Sequence, residues 1–227
     1  ISQSWSVISE AGDNDKKYIA MESVKKYLID KEEKLIKLLT PAFNNQEYNP
    51  GYISKYKNGI RENGGQYTHG VIWTVLALTK LEMREESFEL IDMLNPLNHG
   101  STEEEIRKYK GEPYVLAGDV YTNKDMYGKA GWTWYSGAAS WFYKVVLENI
   151  LGLQIQGNKL YIKPCVPKDW EEYSVNYMYK NTLYKILVKN NKKNDNGFFI
   201  KINGKIQTND YIELLDDNRD FTIEIEM

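Results

Sequence analysis

A polar, glycine-containing segment at residues 61–70 has the residue types of a ligand-binding loop. Its sequence, RENGGQYTHG, places a charged pair, two amides, a tyrosine and a histidine around two adjacent glycines. Adjacent glycines let the backbone approach a ligand closely, and His69 then begins a run of apolar residues. The same pattern also fits a loop that leads into a helix and carries a buried, hydrogen-bonded histidine. The residues alone leave both interpretations open.

A second segment, at residues 131–141, predicts an anion site at the start of a helix. In its sequence, GWTWYSGAASW, Ser136 is a suitable N-cap and, with Gly137, opens an apolar helical pattern. The first N–H groups of a helix are unpaired and its dipole is positive there, so a phosphate could accept hydrogen bonds from them and from the Ser136 hydroxyl. No lysine follows the glycine, which excludes a Walker-type loop. A simple N-cap in an aromatic-rich core is the alternative.

The other candidate side chains have less support. His99 ends a predicted helix and is interpreted as structural, while Glu62 and Asp119 are the plausible local carboxylates. Cys165 is the only cysteine and has no histidine near it in sequence, so it is interpreted as a buried apolar residue. A single cysteine excludes an internal disulfide, which favours a reducing, cytoplasmic location. No metal site is predicted.

The composition of the chain argues against some classes of binding partner and favours others. The 227 residues carry a net charge of -3, with lysines interleaved among acidic residues, which argues against binding to nucleic acid. No apolar run approaches the roughly 20 residues that cross a bilayer, so no membrane segment is predicted. The 18 tyrosines and 6 tryptophans exceed what a core requires and suit stacking on sugars. A proteome rich in tyrosine through its base composition would give the same excess.

Helical periodicity extends to about residue 152, and period-two alternation follows it. The pattern predicts helices that begin with a cap at Asp15, after His69, at Glu85, at Ser101 or Thr102, and at Ser136. Gly152 suits the end of the last helix, because a helix C-terminus favours a residue that tolerates positive φ. Beyond it, residues 153–156 and 159–163 predict a β-hairpin, and further strands are predicted at 173–179, 183–188, 198–202 and 221–225. The expected α+β fold therefore has a helical domain at 1–152 and a β-sandwich at 153–227.

Four blocks in a fixed order resemble a known family. They are RENGGQYTH at 61–69, NPLNH at 95–99, EPYV with DVY at 112–121, and GWTWYSG at 131–137. Together they resemble the inverting glycoside phosphorylases of glycoside hydrolase family 94, which include cellobiose and chitobiose phosphorylases. They are especially similar to the C-terminal, phosphorylase-like region of cyclic β-1,2-glucan synthases. The resemblance covers nearly the whole chain and weakens after about residue 170.

The resemblance implies a fold and two sets of binding residues. The fold is the C-terminal part of an (α/α)₆ barrel followed by a small antiparallel β-sandwich. The residues that match phosphate ligands are His69, Ser136 and Gly137, with serine in place of the usual threonine. The residues that match the sugar-binding side are Arg61, Glu62 and Gln66. The family needs no cofactor, since inorganic phosphate is its co-substrate.

The resemblance also implies that part of the machinery lies outside this chain. The family's general-acid aspartate, an arginine that helps to bind phosphate and the first helices of the barrel all precede the segment that resembles Ser2 to Trp5. The chain, which starts at Ile1, is therefore expected to be a C-terminal fragment that is inactive alone. An incomplete barrel would expose apolar helix faces, so self-association into a homo-oligomer is expected.

The expected function is phosphorolysis or synthesis of β-glucosides, with a β-glucan or β-disaccharide and phosphate as partners. The variant Gln66-Tyr67-Thr68 leans towards β-1,2 linkages. A non-catalytic carbohydrate-binding module is the main alternative, because aromatic rings bind sugars without a general acid. A hydrolase on the same barrel is the other alternative, and it would need a second carboxylate to activate water.

Overall fold

The computed structural model describes residues 1–44, 49–190 and 198–227. Within them the chain divides into two compact units, Ile1–Val146 and Leu147–Met227. Six α-helices and several sheets form the described residues, so the fold is mixed, as the predicted α+β class requires. No helix in the described ranges is long and apolar enough to span a membrane.

The first unit is mainly helical and contains two small β-ladders. Strands β1 and β2 pair with each other, and β3 pairs with β4. Single turns of 3-10 helix occur at Gly51–Lys55 and Pro96–His99. The helices are α1 Ser2–Ile8, α2 Asn14–Tyr27, α3 Thr68–Lys80, α4 Arg84–Leu94, α5 Glu103–Tyr109 and α6 Ser136–Val145. The strands are β1 Ile29–Asp30, β2 Leu35–Ile36, β3 Gln66–Tyr67 and β4 Asp119–Val120.

Helix α3 is the central element of the first unit. It contacts α1, α4 and α6, and a helix surrounded in this way is apolar on most of its faces. Its fully buried side chains include Ile72, Val75 and Leu78. Because these residues fix α3 in the core, they also fix the first turn of the helix, in which His69 lies.

Three of the predicted helices are confirmed, namely those after His69, at Glu85 and after Thr102. Helix α5 begins with a capping box, in which the Thr102 hydroxyl accepts from the Glu105 N–H and the Glu105 carboxylate accepts from the Thr102 N–H. This arrangement satisfies two of the N–H groups that a helix start leaves unpaired. The triple glutamate that follows Thr102 was therefore a reliable helix-start signal.

The predicted start of α2 is wrong, and its predicted apolar positions are buried only in part. Asp13 occupies the N-cap position, and Asp15 lies within the first turn. Helical periodicity in the sequence makes Ile19, Val24 and Tyr27 the apolar positions of this helix, yet Ile19 and Tyr27 are 64% and 57% exposed. The buried residues are Lys17, Met21 and Val24, of which the periodicity predicts only Val24. Packing against α1 selects these residues, and the apolar content of the helix is too evenly spread to reveal them.

Helix α6 begins one residue earlier than predicted, at the residue predicted to be its cap. Ser136 is the first helical residue, and the N-cap position belongs to Tyr135, whose side chain makes no capping hydrogen bond. A π-helical turn, Val146–Ile150, follows α6. Gly152 then adopts a φ of +79°, which confirms the predicted left-handed glycine after the helix.

The second unit contains two sheets. The predicted hairpin is present as β5 and β6, and β11 adds to it in the order β11-β6-β5. The other sheet has the order β10-β9-β12-β8-β7. One hydrophobic cluster includes side chains of both sheets, among them Leu160 and Ile223. The strands are β5 Leu153–Gln156, β6 Lys159–Ile162, β7 Glu172–Tyr179, β8 Thr182–Lys189, β9 Phe199–Ile202, β10 Lys205–Ile206, β11 Ile212–Glu213 and β12 Phe221–Glu226.

The prediction that all of these strands are antiparallel is wrong at one position. Strand β12 pairs in parallel with β8, with Ile223 opposite Ile186, and antiparallel with β9. Parallel neighbours require a long connection rather than a tight turn. Here β9, β10 and β11 lie between β8 and β12 in the chain, and this connection lets β12 return in the same direction as β8.

Candidate functional site

Four of the six predicted site residues, from two distant segments, line one cavity in the first unit. The cavity has a volume of about 370 Å³. Strand β3 pairs with β4 so that Tyr67 lies opposite Asp119, and α6 packs against α3. These two contacts bring together residues separated by more than sixty positions. The lining residues are Arg61, Tyr67, His69, Gly118, Asp119, Tyr135, Ser136, Gly137 and Ala138.

His69 lies in the first turn of α3 with its ring among aromatic side chains. It stacks on Tyr67 at 6.4 Å between ring centroids and contacts Trp73 at 4.5 Å. Its Nε2 is buried and has no hydrogen-bond partner in the described part of the chain. Burial also lowers the pKa of His69, which favours the neutral ring. A purely structural histidine would have hydrogen-bond partners for its ring nitrogens, and the Nε2 of His69 has none among the described residues.

Ser136 and Gly137 form the start of α6 on the same cavity. Because Tyr135 makes no side-chain capping bond, the amides of the first turn are free of side-chain caps, as an anion site requires. Gly137 lies directly beside His69, since a Cβ placed on it would lie 3.8 Å from both Cε1 and Nδ1 of the ring. The structure thus brings the three predicted phosphate ligands together. Their binding of phosphate stays a prediction.

Arg61 reaches the cavity from a constrained position. Its φ is +47°, a left-handed conformation that costs energy for a residue with a side chain. Its guanidinium carbon lies 5.5 Å from the ring centroids of both Tyr56 and Trp132. Burial opposes its charge, but the phenol of Tyr56 and the carboxylates of Glu62 and Asp119 raise the pKa of Arg61. The result is a permanently charged group that lies close to two aromatic rings.

Glu62 forms a loose ion pair with Arg61. Its Oε2 lies 3.8 Å from the Arg61 Nε, which is too long for a hydrogen bond. Both atoms are buried and have no hydrogen-bond partner among the residues that the structure describes. Arg61 lines the cavity but Glu62 does not. Their predicted roles in sugar binding stay predictions.

Gln66 is placed differently from the other predicted sugar-binding residues. It is 3% exposed and absent from the cavity lining. Its Oε1 accepts a hydrogen bond from the Ile36 N–H at 2.9 Å, and its Nε2 donates to the Thr68 hydroxyl at 3.4 Å. Its amide therefore joins β2 to the start of α3. Direct contact between Gln66 and a sugar stays a prediction.

Asp119 is a cavity residue that the sequence suggested only as a carboxylate for the alternative hydrolase. It is 2% exposed, and its Oδ1 accepts a hydrogen bond from the Trp132 N–H at 2.9 Å. Its Oδ2 is buried without a hydrogen-bond partner in the described ranges. Burial raises the pKa of Asp119, while the Trp132 N–H and Arg61 act in the opposite direction. In the sequence, Asp119 is a charged residue between the apolar residues Ala117 and Val120, both of which are buried in the structure. A charged residue in an apolar segment is the signal that could have identified Asp119.

Four exposed aromatic rings, Tyr114, Trp132, Trp134 and Tyr135, lie in the segments that flank Asp119 in the chain. Trp132 and Tyr135 stack with centroids 6.2 Å apart, and Tyr114 and Trp134 lie 6.1 Å apart. Trp134 has a φ of +65° and is 68% exposed, with its indole N–H donating to the Glu112 carboxylate at 3.0 Å. Exposed planar rings suit the apolar faces of sugars. This aromatic group explains part of the tyrosine and tryptophan excess better than a core would.

The side chains that line the cavity are chemically suited to binding an anion. An imidazole, a hydroxyl, helix-start amides and a guanidinium supply hydrogen-bond donors or positive charge. Among the described lining residues, Asp119 is the single carboxylate. Inverting hydrolysis uses two carboxyl groups on opposite sides of the bond. The lining therefore suits phosphate better than it suits the activation of water.

The two residues set aside from the site are structural, as predicted. The His99 Nε2 bonds to the Met93 carbonyl at 2.7 Å, and its ring stacks on Tyr109 with centroids 4.5 Å apart. Cys165 is buried in the second unit. Within the described ranges, no group of three histidine, cysteine or acidic residues could hold a metal ion.

Comparisons with known proteins identify relatives of this chain. The chain is 41% identical over 193 residues to the cyclic beta-(1,2)-glucan synthase NdvB of Rhizobium meliloti (strain 1021), an alignment that covers 85% of this chain and 7% of that protein. It is 28% identical over 190 residues to the N,N'-diacetylchitobiose phosphorylase of Vibrio proteolyticus, covering 83% and 23%. It is 24% identical over 234 residues to the solabiose phosphorylase of Paenibacillus borealis, covering 100% and 29%.

The chain thus spans 7% to 29% of the lengths of these relatives. Residues 1–152, which contain every residue of the cavity, match the catalytic domain of one family. The resemblance stated from the four sequence blocks is confirmed, since the relatives are glycoside phosphorylases and a cyclic glucan synthase. The chain belongs to the glycosyl hydrolase 94 superfamily.

Proposed function

We propose that this chain provides the phosphate-binding side of the active site in an inverting β-glucoside phosphorylase. The observation that carries the proposal is the convergence of His69, Ser136 and Gly137 on one cavity. The buried, unpartnered ring nitrogen of His69 supports it, because a buried polar atom without a partner is costly unless a ligand satisfies it. Membership of a family of phosphorylases supplies the reaction class.

The arrangement of these residues suits phosphate acting as an anionic nucleophile. Phosphate attacks the anomeric carbon directly, so no base is required to activate water, in contrast with hydrolysis. What the protein must do is hold the phosphate at a fixed position and direction. The Ser136 hydroxyl, the first amides of α6 and the His69 ring do this from one side, and Arg61 contributes positive charge. The glycosidic oxygen leaves on the opposite face and receives its proton from a general acid elsewhere in the protein.

The same proposal includes the fold of each unit, the role of this chain in a longer protein, and the substrates. The helical unit is the C-terminal part of an (α/α)₆ barrel, the second unit is a small β-sandwich, and the boundary lies near residue 152. The chain works within a longer polypeptide that supplies the general acid, and it is inactive alone. The substrate is a β-glucoside, with β-1,2-glucan favoured by the similarity to a glucan synthase. Inorganic phosphate is the co-substrate, and no organic cofactor takes part.

Titration of the 227-residue chain with orthophosphate tests the binding half of this proposal. We expect saturable binding, followed by NMR, that perturbs the His69 ring and the amides of Ser136 and Gly137. Inorganic sulfate should compete, because it has the same tetrahedral shape. A chain whose His69 signals do not respond to phosphate would contradict the proposal.

Turnover tests the catalytic half. A protein that joins this chain to the upstream part of the barrel should release glucose 1-phosphate from sophorose, a β-1,2-linked glucose disaccharide, only when phosphate is present. The 227-residue chain should release none above a buffer control. Glucose release without phosphate in the longer protein would instead identify a hydrolase.

A non-catalytic carbohydrate-binding module is the second candidate function. The four exposed aromatic rings Tyr114, Trp132, Trp134 and Tyr135 favour it, because such rings bind sugars without any catalytic group. Sugar binding by the longer protein without turnover, in the presence of phosphate, would support this candidate over the phosphorylase.

A further inference from the structure

Asp119 lines the cavity and carries one carboxylate oxygen that no hydrogen bond among the described residues uses. The residue is 2% exposed, yet it contributes to the cavity lining. One carboxylate oxygen is satisfied by the Trp132 N–H. The other, Oδ2, is buried and has no hydrogen-bond partner among the described residues. Leaving such an oxygen unsatisfied destabilises a fold unless a ligand supplies the donor.

The backbone around Asp119 holds the carboxyl group in one orientation. The Asp119 carbonyl accepts from the Gly131 N–H at 2.9 Å, and Tyr67 pairs with Asp119 on the other side. A Cβ placed on Gly131 would lie 2.5 Å from the Asp119 Oδ1 and 2.7 Å from Oδ2. Glycine at 131 therefore gives the carboxyl group the space that it occupies. The backbone contacts fix the main chain of Asp119 and the Trp132 N–H fixes its carboxyl group, so the side chain is held in place for a ligand.

The neighbouring charges decide which ligand suits this oxygen. Arg61 is the cation that acts on Asp119, and Glu62 acts on it as a like charge. Asp119 and Arg61 line the same cavity, one with a proton acceptor and the other with donors, so together they suit a neutral group that both donates and accepts hydrogen bonds. A sugar hydroxyl is such a group. A phosphate would instead place its negative charge beside a carboxylate, which costs free energy in a buried site.

We propose that Asp119 is a sugar-binding residue, whose Oδ2 accepts a hydrogen bond from a hydroxyl of the glucoside. This proposal rests on the proposed function, because it requires sugar and phosphate in the same cavity. It separates two halves of the lining: His69, Ser136 and Gly137 hold phosphate, while Asp119 selects the sugar. Arg61 lines the same cavity and contributes to both.

Asp119→Asn is the informative substitution, because it changes polarity with little change in volume. The Asn oxygen can keep the hydrogen bond from the Trp132 N–H, so that the NH₂ group replaces Oδ2. The cavity then has a donor where it had an acceptor. We expect the dissociation constant for sophorose to rise about 10- to 150-fold, the effect of losing a charge-assisted hydrogen bond. The dissociation constant for orthophosphate should stay the same or fall, because a negative charge is removed.

The measurement is a calorimetric titration of the 227-residue chain with sophorose and, separately, with orthophosphate. Asp125→Asn is the matched control, since Asp125 is exposed and lies outside the cavity lining. It makes the same change of charge and should leave both constants unchanged. Unchanged sophorose binding in Asp119→Asn, or no sophorose binding by the unmodified chain, would overturn the proposal. Phosphate binding by the unmodified chain tests the proposed function independently, so the two failures are distinguishable.

A second measurement needs no variant and stands if Asp119→Asn does not fold. The ¹³C signal of the Asp119 side-chain carboxyl should shift when sophorose is added to the unmodified chain and should change less with orthophosphate. The Asp125 carboxyl signal is the internal control and should respond to neither. A shift of the Asp119 signal with phosphate alone would assign the residue to the phosphate side and refute the proposal.

Discussion

Replacing Gly137 by alanine separates the stability of the fold from the binding of phosphate. The added Cβ would lie 3.8 Å from the His69 Cε1 and Nδ1, which is ordinary van der Waals contact. The glycine also has no left-handed φ that alanine would avoid. Glycine-to-alanine changes at compatible positions stabilise proteins by about 0.4–1 kcal/mol. We therefore expect Gly137→Ala to fold with equal or slightly higher stability.

Phosphate binding should respond in the opposite direction. The new methyl group would stand beside the His69 ring at the start of α6, where the anion is expected to accept its hydrogen bonds. Charged N–H···O hydrogen bonds need about 2.7–2.9 Å, a distance that the methyl group blocks. Loss of one such bond costs about 1.5–3 kcal/mol, which corresponds to an increase of about 10- to 150-fold in the dissociation constant.

Two assays on the same preparations test this prediction: denaturant unfolding for stability, and calorimetric titration with orthophosphate for binding. Gly100→Ala is a matched control, because its added Cβ would also lie 3.8 Å from its nearest neighbour, Ile106, and outside the cavity. It should leave phosphate binding unchanged. If Gly137→Ala bound phosphate as the unmodified chain does, the anion could not lie between α6 and His69, and the reasoning would be refuted.

Three further predictions follow from the structure. Ser136→Ala should weaken orthophosphate binding by about 1.5–3 kcal/mol without altering sophorose binding, and an equal effect on both ligands would contradict the assigned role. The pKa of His69 and that of His99 are lowered by burial, so the unfolding free energy should fall as pH drops below about 6.5, where only the unfolded histidines take up protons. His69→Gln should reduce that fall, as measured by urea unfolding at several pH values. Thr102→Ala removes the capping box of α5 and should lower the unfolding free energy by about 1 kcal/mol; Ser101→Ala, one residue earlier, should have a smaller effect.

Local signals in the sequence were sufficient for many elements. The apolar runs of α3 and α4 and the capping residues of α5 predicted these helices, and the Gly157-Asn158 pair predicted the β5–β6 hairpin. Such features depend on residues within a few positions of one another. Backbone geometry and capping act over the same short range, so the sequence contains nearly all the information that they require.

The sequence also identified part of the cavity, for a different reason. Arg61, His69, Ser136 and Gly137 stood out because polar groups and glycines interrupt apolar patterns there. All four line the same cavity. Chemistry needs residue types that a core would exclude, and these remain visible without any knowledge of the fold.

Features that depend on contacts between distant segments were decided only by the tertiary structure. The buried row of α2 is selected by packing against α1, and the parallel pairing of β12 with β8 depends on the path of the intervening strands. Asp119 acquires its unpartnered oxygen because β4 pairs with β3 and residues 131–132 cover its other side. Gln66 looked equally available for a ligand in the sequence, but the Ile36 N–H and the Thr68 hydroxyl engage its amide. Burial and hydrogen-bond satisfaction belong to pairs of residues far apart in the chain, and only folding determines which pairs form.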